Sequence, residues 1–467
     1  MSGYGSISQE LLEKYDQPGP RYTSYPTAPV WTEEFGQDDW RQAFADANEQ
    51  KDSPFSLYVH IPYCDSLCYY CGCSVIITKS QTKGDQYVDM VLKEAELLAT
   101  ALPDRRAVQQ HHWGGGTPTF LKPHQLERLY LGLQDFFPSK DTAEVSIEVD
   151  PRVTDEEQLE TLRRIGFNRI SMGVQDFDQE VQECIHRVQS KELTRRIIDK
   201  SRELGFESIN VDLVYGLPKQ TIEGFGDTLD TIIDWGADRV ACYSFAYVPW
   251  LKKHMKVLPE DEIPGRSAKF ALFRLALEKF GAAGYESIGM DHFAIASDPL
   301  SKAAREGRMH RNFMGYTTRM GQGRDPEDML NLGITAIGEI AGRFGQSVKD
   351  VREWEAAIEA GRYPIEKGWR RSADDEERRR IILDLMCRFR LDYADYPTVD
   401  GEPFEIRYAK SLEPLHAMEA DGLLTFDDKG LSVLDKGRIF LRNIAMPFDA
   451  YLEGQRRGDK PMFSRTV

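Results

Sequence analysis

The chain lacks a long apolar run. Its longest uncharged stretch of core-like composition, Val240 to Trp250, is eleven residues, whereas a bilayer span needs about 20. No membrane-crossing helix is expected. The first ten residues have no basic start and no apolar segment, so no secretory signal is read and a cytoplasmic location is expected. Positive charge is also short: 59 Lys and Arg against 76 Asp and Glu give a net charge of −17. Non-specific binding to nucleic acid or an anionic membrane requires basic surface. Neither partner is expected, although a local basic pocket for an acidic small molecule is compatible with the balance. Cysteines are few and odd in number, seven in 467 residues, which argues for reduced thiols over a disulfide framework. The ordinary apolar content, 41%, supports a sizeable core in two or three domains.

Three segments differ in pattern, with boundaries at 1–50, 51–300 and 301–467. The first shows no clean periodicity and contains the proline-rich stretch Gln17 to Pro26, an extended arm. The second alternates strands and helices. Leu57 to Ile61, Gln110 to Trp113, Val145 to Asp150, Arg169 to Gly173, Ile209 to Leu213 and Val240 to Tyr243 read as strands, and Tyr285 to Ile288 as another. Helices such as Asp85 to Leu98, Asp155 to Arg164 and Ser190 to Leu204 separate them. Such alternation predicts an α/β fold, a partial (β/α) barrel of about six parallel strands. In the third segment a charged helix begins near Arg371, capped by Ser372, and Leu423 to Val433 reads as a hairpin turning at Asp-Asp-Lys-Gly. Helix, helix and hairpin in that order predict a mostly helical, winged-helix-like domain serving as lid or scaffold.

Four of the seven cysteines lie within ten residues, as Cys64-x3-Cys68-x2-Cys71-x-Cys73. Three thiolates on one short loop can hold three irons of a cubane cluster and leave the fourth iron open to a substrate's nitrogen and oxygen. Cys73, beyond Gly72, is either a fourth ligand or a free thiol. Structural zinc is the alternative, but it prefers paired C-x2-C knuckles with a spacer between them. Gly114 to Gly116 followed by Thr117-Pro118 reads either as a plain strand-to-helix turn or as backbone close enough to bond a cofactor. Glu148 lies on the polar side of its strand, where an unpaired inward carboxylate is costly. It is either salt-bridged to an arginine or an acceptor for a ribose or ammonium. Tyr58 is a core aromatic by default. His60, His111 and His112 flank strands without ligand spacing and are expected to be structural.

With Tyr70 beside its last cysteine, the motif resembles that of the radical S-adenosylmethionine superfamily. The run Tyr58 to Cys73, the arm Pro18 to Thr27, His112 to Thr119, Glu148 to Pro151, Gly173 to Phe177, His310 to Phe313 and Phe463 to Arg465 are similar to the oxygen-independent coproporphyrinogen III dehydrogenases. The resemblance spans nearly the whole chain. It implies a 4Fe–4S cluster on Cys64, Cys68 and Cys71, and two S-adenosylmethionines consumed as two propionates of coproporphyrinogen III become vinyl groups. Tyr58 and Gly115 would serve the first S-adenosylmethionine, and Gly116, Thr117, Gln175, Arg187 and Asp212 the second. Tyr70, Glu148, Ala246 and Ile337 would also contact these cofactors. Tyr58, Cys73, Glu148 and Phe313 would form the catalytic set, with Arg21 and Arg311 as cations for the substrate. A low-potential donor of flavodoxin or ferredoxin type and a monomeric state are further implications. Met314 and Arg319 stand where the family often has glutamine, and Met314 cannot replace an amide's donor and acceptor. A haem-trafficking relative without decarboxylase activity is the nearest rival class. A zinc-stabilised nucleic-acid-binding protein is the more distant one.

Overall fold

The structure is a computed structural model describing residues 7–320, 327–399, 401–452 and 463–466. It divides into two compact units, one of Trp31–Ile263 with Met320–Arg370, the other of Met1–Val30, Pro264–Arg319 and Arg371–Val467.

The first unit is built on strands β1 (Phe55–Ile61), β2 (Val108–Gly115), β3 (Ser139–Val149), β4 (Arg169–Gln175), β5 (Ser208–Tyr215), β6 (Arg239–Ser244), β7 (Met329–Leu332), β8 (Ile337–Ile340), β9 (Arg343–Ser347) and β10 (Ile365–Arg370). Their order within the unit is β10-β9-β8-β7-β1-β2-β3-β4-β5-β6. β1 to β6 pair in parallel in chain order, as expected for strands joined by helical crossovers. β7 adds a seventh parallel strand on the other side of β1, and β8 to β10 continue antiparallel.

The expectation of about six parallel strands therefore understates the sheet, which is large and mixed. The extra strands are four to six residues long, lie beyond the strand–helix series, and carry Gly338, Gly345 and Gly368. Short strands interrupted by glycine have little periodicity to detect. Tyr285–Ile288 was expected as a further strand of the series. It is a strand with those bounds and belongs to the same twelve-stranded sheet, but it pairs antiparallel with His292–Ile295.

Period-two patterning explains what the parallel strands present. Along β3, Ala143, Val145, Ile147 and Val149 are buried, while Glu144, Ser146 and Glu148 alternate with them and remain partly accessible. In register, Tyr58, His112 and Ser146 form one row across β1, β2 and β3, and His60 pairs with Gly114 in the next. Polar and small residues thus share one face near the C-terminal ends of the strands. That is where sheets of this type carry their chemistry.

The other unit has a core that includes Ile381, Leu385, Leu415, Leu431 and Phe440. Ser372 Oγ accepts from Asp375 N at the start of helix Ala373–Arg388, as its cap position predicts. Leu424–Asp427 and Gly430–Val433 form the expected hairpin, and the short strand Arg390–Asp392 pairs with its second arm. The arm from Gln17 to Thr27 is non-helical. It is tied down within this unit by a bridge from Pro18 to Arg465 and by Arg21 Nη1 to Asp291 Oδ2 at 3.1 Å. Two helices not read from the sequence precede and follow the arm along the chain: Gln9–Tyr15 in this unit and Gln37–Asn48 in the sheet unit. The second buries Trp40, Ala43, Phe44 and Ala47 at helical spacing.

One buried acid braces the sheet unit. Glu94, on helix Gln81–Ala101, accepts from Gly333 N at 2.7 Å and Trp354 Nε1 at 3.1 Å. It is 1% exposed, and burial raises its pKa to about 8, against the opposing pull of the two donors. A carboxyl raised in the folded state favours folding fully below its unfolded pKa of 4.5, and that contribution is lost as pH climbs through about 8. At about 1.4 kcal/mol per unit, the swing is on the order of a few kcal/mol. Glu94→Gln should flatten the fall in chemical-denaturation stability between these pH values. An unchanged slope would show that Glu94 does not supply it.

Candidate functional site

The cysteine loop follows β1. Tyr63–Cys64 forms a two-residue parallel ladder with Ile76–Ile77, so the loop leaves and returns at one place. Cys71 N donates to Cys68 O at 3.2 Å, which tightens the turn between them. None of the four thiols is in a disulfide.

The glycine turn packs directly on this loop. Gly116 N donates to Ile61 O at 2.8 Å, and Thr117 N to Tyr63 O at 2.8 Å. A Cβ on Gly116 would lie 2.7 Å from Pro62 backbone atoms and 2.8 Å from Tyr63 O. Only glycine permits that approach. Gly115 has φ +116°, a region closed to most side chains. Its N–H donates to Glu148 Oε2 at 3.1 Å. Thr117 Oγ1 lies 3.4 Å from Cys64 Sγ.

Glu148 is held by a histidine and a backbone amide, not by an arginine. His112 Nε2 is 3.5 Å from Oε1, and its Nδ1 is 2.7 Å from Ser146 Oγ. Burial opposes the charge on Glu148, but these partners keep its carboxyl below the usual value. The arginine partners considered for Glu148 belong instead to Glu144, which meets Arg169 at 2.9 Å. Tyr58 stacks on His112 with ring centres 6.0 Å apart, and its hydroxyl is 3.1 Å from His60 Nδ1. His111 accepts from Trp113 Nε1 at 2.8 Å, a structural role as expected.

Two guanidiniums converge on Cys68. Arg152 Nη2 is 3.4 Å and Arg187 Nη1 3.7 Å from its sulfur. Both also bond Asp150 Oδ2, at 2.7 and 2.9 Å. Burial works against the Asp150 charge, but Arg187 and then Arg152 hold its carboxyl at about 2. Arg187 Nη2 donates to Gly173 O at 2.7 Å. Both terminal nitrogens of Arg187 thus serve Asp150, Cys68 and Gly173. Asp150 and Arg152 were missed, because a charged residue after a strand end has no spacing signal.

The remaining expected residues are less gathered. Tyr70 packs against an apolar group that includes Val181, Ile185 and Met255. Gln175 ends β4 with φ 70° and is buried. Asp212, on β5, accepts from Asn210 at 2.8 Å and from Ser171 at 3.3 Å. Ala246 follows β6 and is half-buried, and Ile337 opens β8, two strands from β1 on the side away from β2. Cys73, by contrast, joins the thiol set: its side chain hydrogen-bonds with that of Cys71, and its carbonyl accepts from Lys252 Nζ at 2.8 Å. Phe313 belongs to the other unit, in the turn between Met309–Asn312 and Gly315–Thr318. Met314 donates its N–H to Asn312 Oδ1. In that unit too, Arg311 Nε donates to Arg21 O at 3.2 Å.

A thiol loop under a glycine turn at the strand C-termini is the arrangement of a radical S-adenosylmethionine protein. The Radical SAM superfamily model matches residues 58–232, and the HemN C-terminal domain model residues 372–440. An oxygen-independent coproporphyrinogen III oxidase of Synechocystis is 42% identical over 99% of this chain and 98% of its own length. The protein of that name from Escherichia coli K12 is 41% identical over 98% of each chain. A solved structure of coproporphyrinogen III oxidase (HemN) from Escherichia coli, described as a radical SAM enzyme, superposes with a TM-score of 0.87. It has 41% identity and covers 92% of this chain and 97% of that one. The chain belongs to the oxygen-independent coproporphyrinogen III oxidase family.

The closeness of the glycine turn makes a direct prediction. Gly116→Ala should destabilise the metal-free protein by roughly 1–3 kcal/mol, as overpacking against backbone does. Gly72→Ala, whose Cβ would meet nothing within 4 Å, should stay within about 0.5 kcal/mol. Equal denaturation midpoints for the two variants would contradict the packing described.

Proposed function

We propose that this chain is an anaerobic enzyme of haem biosynthesis that oxidatively decarboxylates two propionates of coproporphyrinogen III to vinyl groups, giving protoporphyrinogen IX. The observation that carries this reading is the set of three unbridged thiols under a glycine turn, with donors aimed at two of the sulfurs. The donor set fits a 4Fe–4S cluster. Thiolates are its ordinary ligands, and Thr117, Arg152 and Arg187 supply the hydrogen bonds that stabilise sulfur charge. Among the described residues no three His, Cys, Asp or Glu side chains gather closely enough for a single metal ion.

In this reading Cys64, Cys68 and Cys71 hold the cluster. When bound, it supplies the electron that cleaves S-adenosylmethionine to methionine and a 5′-deoxyadenosyl radical. Gly115 offers a backbone carbonyl for the first S-adenosylmethionine, beside Tyr58. Gly116, Thr117, Gln175, Arg187 and Asp212 are assigned to the second, and Tyr70, Glu148, Ala246 and Ile337 to contacts with these cofactors. His112 and Gly115 keep the Glu148 carboxylate charged and oriented, which suits it to a methionine ammonium or ribose hydroxyl. A primary carbon radical attacks most C–H bonds, so the site must exclude competing groups and water. Phe313 and Cys73 are assigned to the catalytic set, and Arg21 and Arg311 to the substrate's carboxylates.

The finer architecture is read as a partial (β/α) barrel with a winged-helix-like second domain. No helix among the described residues is long and apolar enough to cross a membrane, and we read the protein as a cytoplasmic monomer. It would be served by a low-potential donor of flavodoxin or ferredoxin type, without nucleic-acid or membrane partners.

Anaerobically reconstituted protein should contain iron and sulfide and convert coproporphyrinogen III with one carbon dioxide per 5′-deoxyadenosine. Absence of decarboxylation from a cluster-loaded, S-adenosylmethionine-cleaving preparation would defeat the substrate assignment. A second expectation concerns Arg152. Arg152→Gln removes a cation and an N–H donor from Cys68, so the reduced state loses stabilisation. The midpoint potential should move negative, a tenfold fall in the reduced fraction corresponding to about 59 mV for one electron. Arg152→Lys should lie between. An unmoved potential with intact cluster content would limit Arg152 to bracing Asp150.

A further inference from the structure

The segment Trp250 to Val257 stands apart from this acidic chain. It carries Lys252, Lys253, His254 and Lys256 and no acidic residue, against a net charge of −17. It also displays large apolar side chains to solvent: Trp250 is 38% exposed, Leu251 64% and Val257 64%. Val188, 63% exposed, lies on a second segment that shares a buried apolar cluster with this one. In that cluster Val181 and Ile185 are grouped with Met255 and Leu258, and Tyr69 and Tyr70 of the cysteine loop pack against it.

Both segments grip the cysteine loop. Lys252 Nζ donates to Cys73 O at 2.8 Å, and His254 Nε2 is 2.9 Å from Cys71 O. On the other segment, Ile185 O accepts from Tyr69 N at 2.9 Å, and His186 Nδ1 is 2.8 Å from Leu67 O. The exposed residues therefore sit on chain that touches the loop directly, with no element between.

Apolar residues grouped at a surface and rimmed by charge mark interaction sites. Electron transfer falls steeply with distance, so a reductant must seat near the thiol loop. The acidic run Glu260 to Glu262 follows; Glu262 pairs with Lys219 at 3.7 Å, whereas Glu260, which accepts from the Tyr247 hydroxyl at 3.5 Å, and the exposed Asp261 keep their charge beside the lysines. Lys253 and Lys256 remain exposed.

We infer that the face formed by Trp250 to Val257 is the docking surface for an acidic, low-potential one-electron carrier protein. The inference rests on the cluster reading above. Lysines steer and orient the carrier, while Trp250, Leu251 and Val257 supply a small apolar contact of the kind found in short-lived redox complexes. The carrier loses one electron and the cluster gains one; no bond is made or broken.

The test uses the full chain, reconstituted anaerobically, with fully reduced flavodoxin as the probe. Cluster reduction is followed by stopped-flow absorbance and electron paramagnetic resonance. The double variant Lys253→Glu with Lys256→Glu should be reduced about tenfold more slowly at low salt, with a weaker dependence on ionic strength. Lys253→Arg with Lys256→Arg should keep the native rate. Leu251→Ser should be slower at every salt concentration. Dithionite, which needs no docking, should reduce all of them equally. Native flavodoxin rates in the charge-reversed and Leu251→Ser proteins would overturn the proposal. So would a native protein that dithionite reduces and flavodoxin does not. A charge-reversed protein that dithionite also reduces slowly has a damaged cluster, and Leu251→Ser then decides. Failure of dithionite on the native protein would instead sink the cluster reading itself.

Discussion

The candidate site depends on one close approach of backbone to backbone. Gly116 lies so near Pro62 and Tyr63 that no side chain fits between them. Two hydrogen bonds, to Ile61 O and Tyr63 O, hold the contact. The end of β1, the start of the thiol loop and the end of β2 therefore move as one piece. Because β1 and β2 are parallel neighbours, both ends point the same way, and the loop and the turn arrive together.

Charge is then arranged around that piece with little redundancy. Asp150 sits between Arg152 and Arg187, and both arginines also reach Cys68. A buried carboxylate flanked by two guanidiniums leaves a local positive excess beside a sulfur. On the other side of the turn, Glu148 keeps its charge through His112 and the Gly115 amide. The two carboxylates thus do opposite work. One is consumed in holding cations near sulfur, and the other is left with capacity to accept from a ligand.

Much of this was legible in the chain. The period-two strand Val145 to Asp150 announced which residues face the helices, and the Cys64–Cys73 spacing announced the loop. The Ser372 cap and the hairpin at Asp427 to Gly430 were readable from local chemistry, because both are decided by contacts a few residues apart. The strands from Met329 to Arg370 were not readable. Their apolar stretches are short, three of the four contain glycine, and their partners are one another and the far side of β1. Tyr285–Ile288 was legible as a strand but not its antiparallel pairing, because four residues carry no information about direction.

The sequence by itself determined the elements whose partners lie close along the chain: helix caps, the hairpin turn, the alternation within strands, and the thiol spacing. Only the tertiary structure decided which arginine meets which carboxylate. Arg187 lies 37 residues from Asp150 and 119 from Cys68, and Lys252 is 179 from Cys73. Pairings over such separations are set by the order in which strands assemble, and nothing in the local pattern encodes that order.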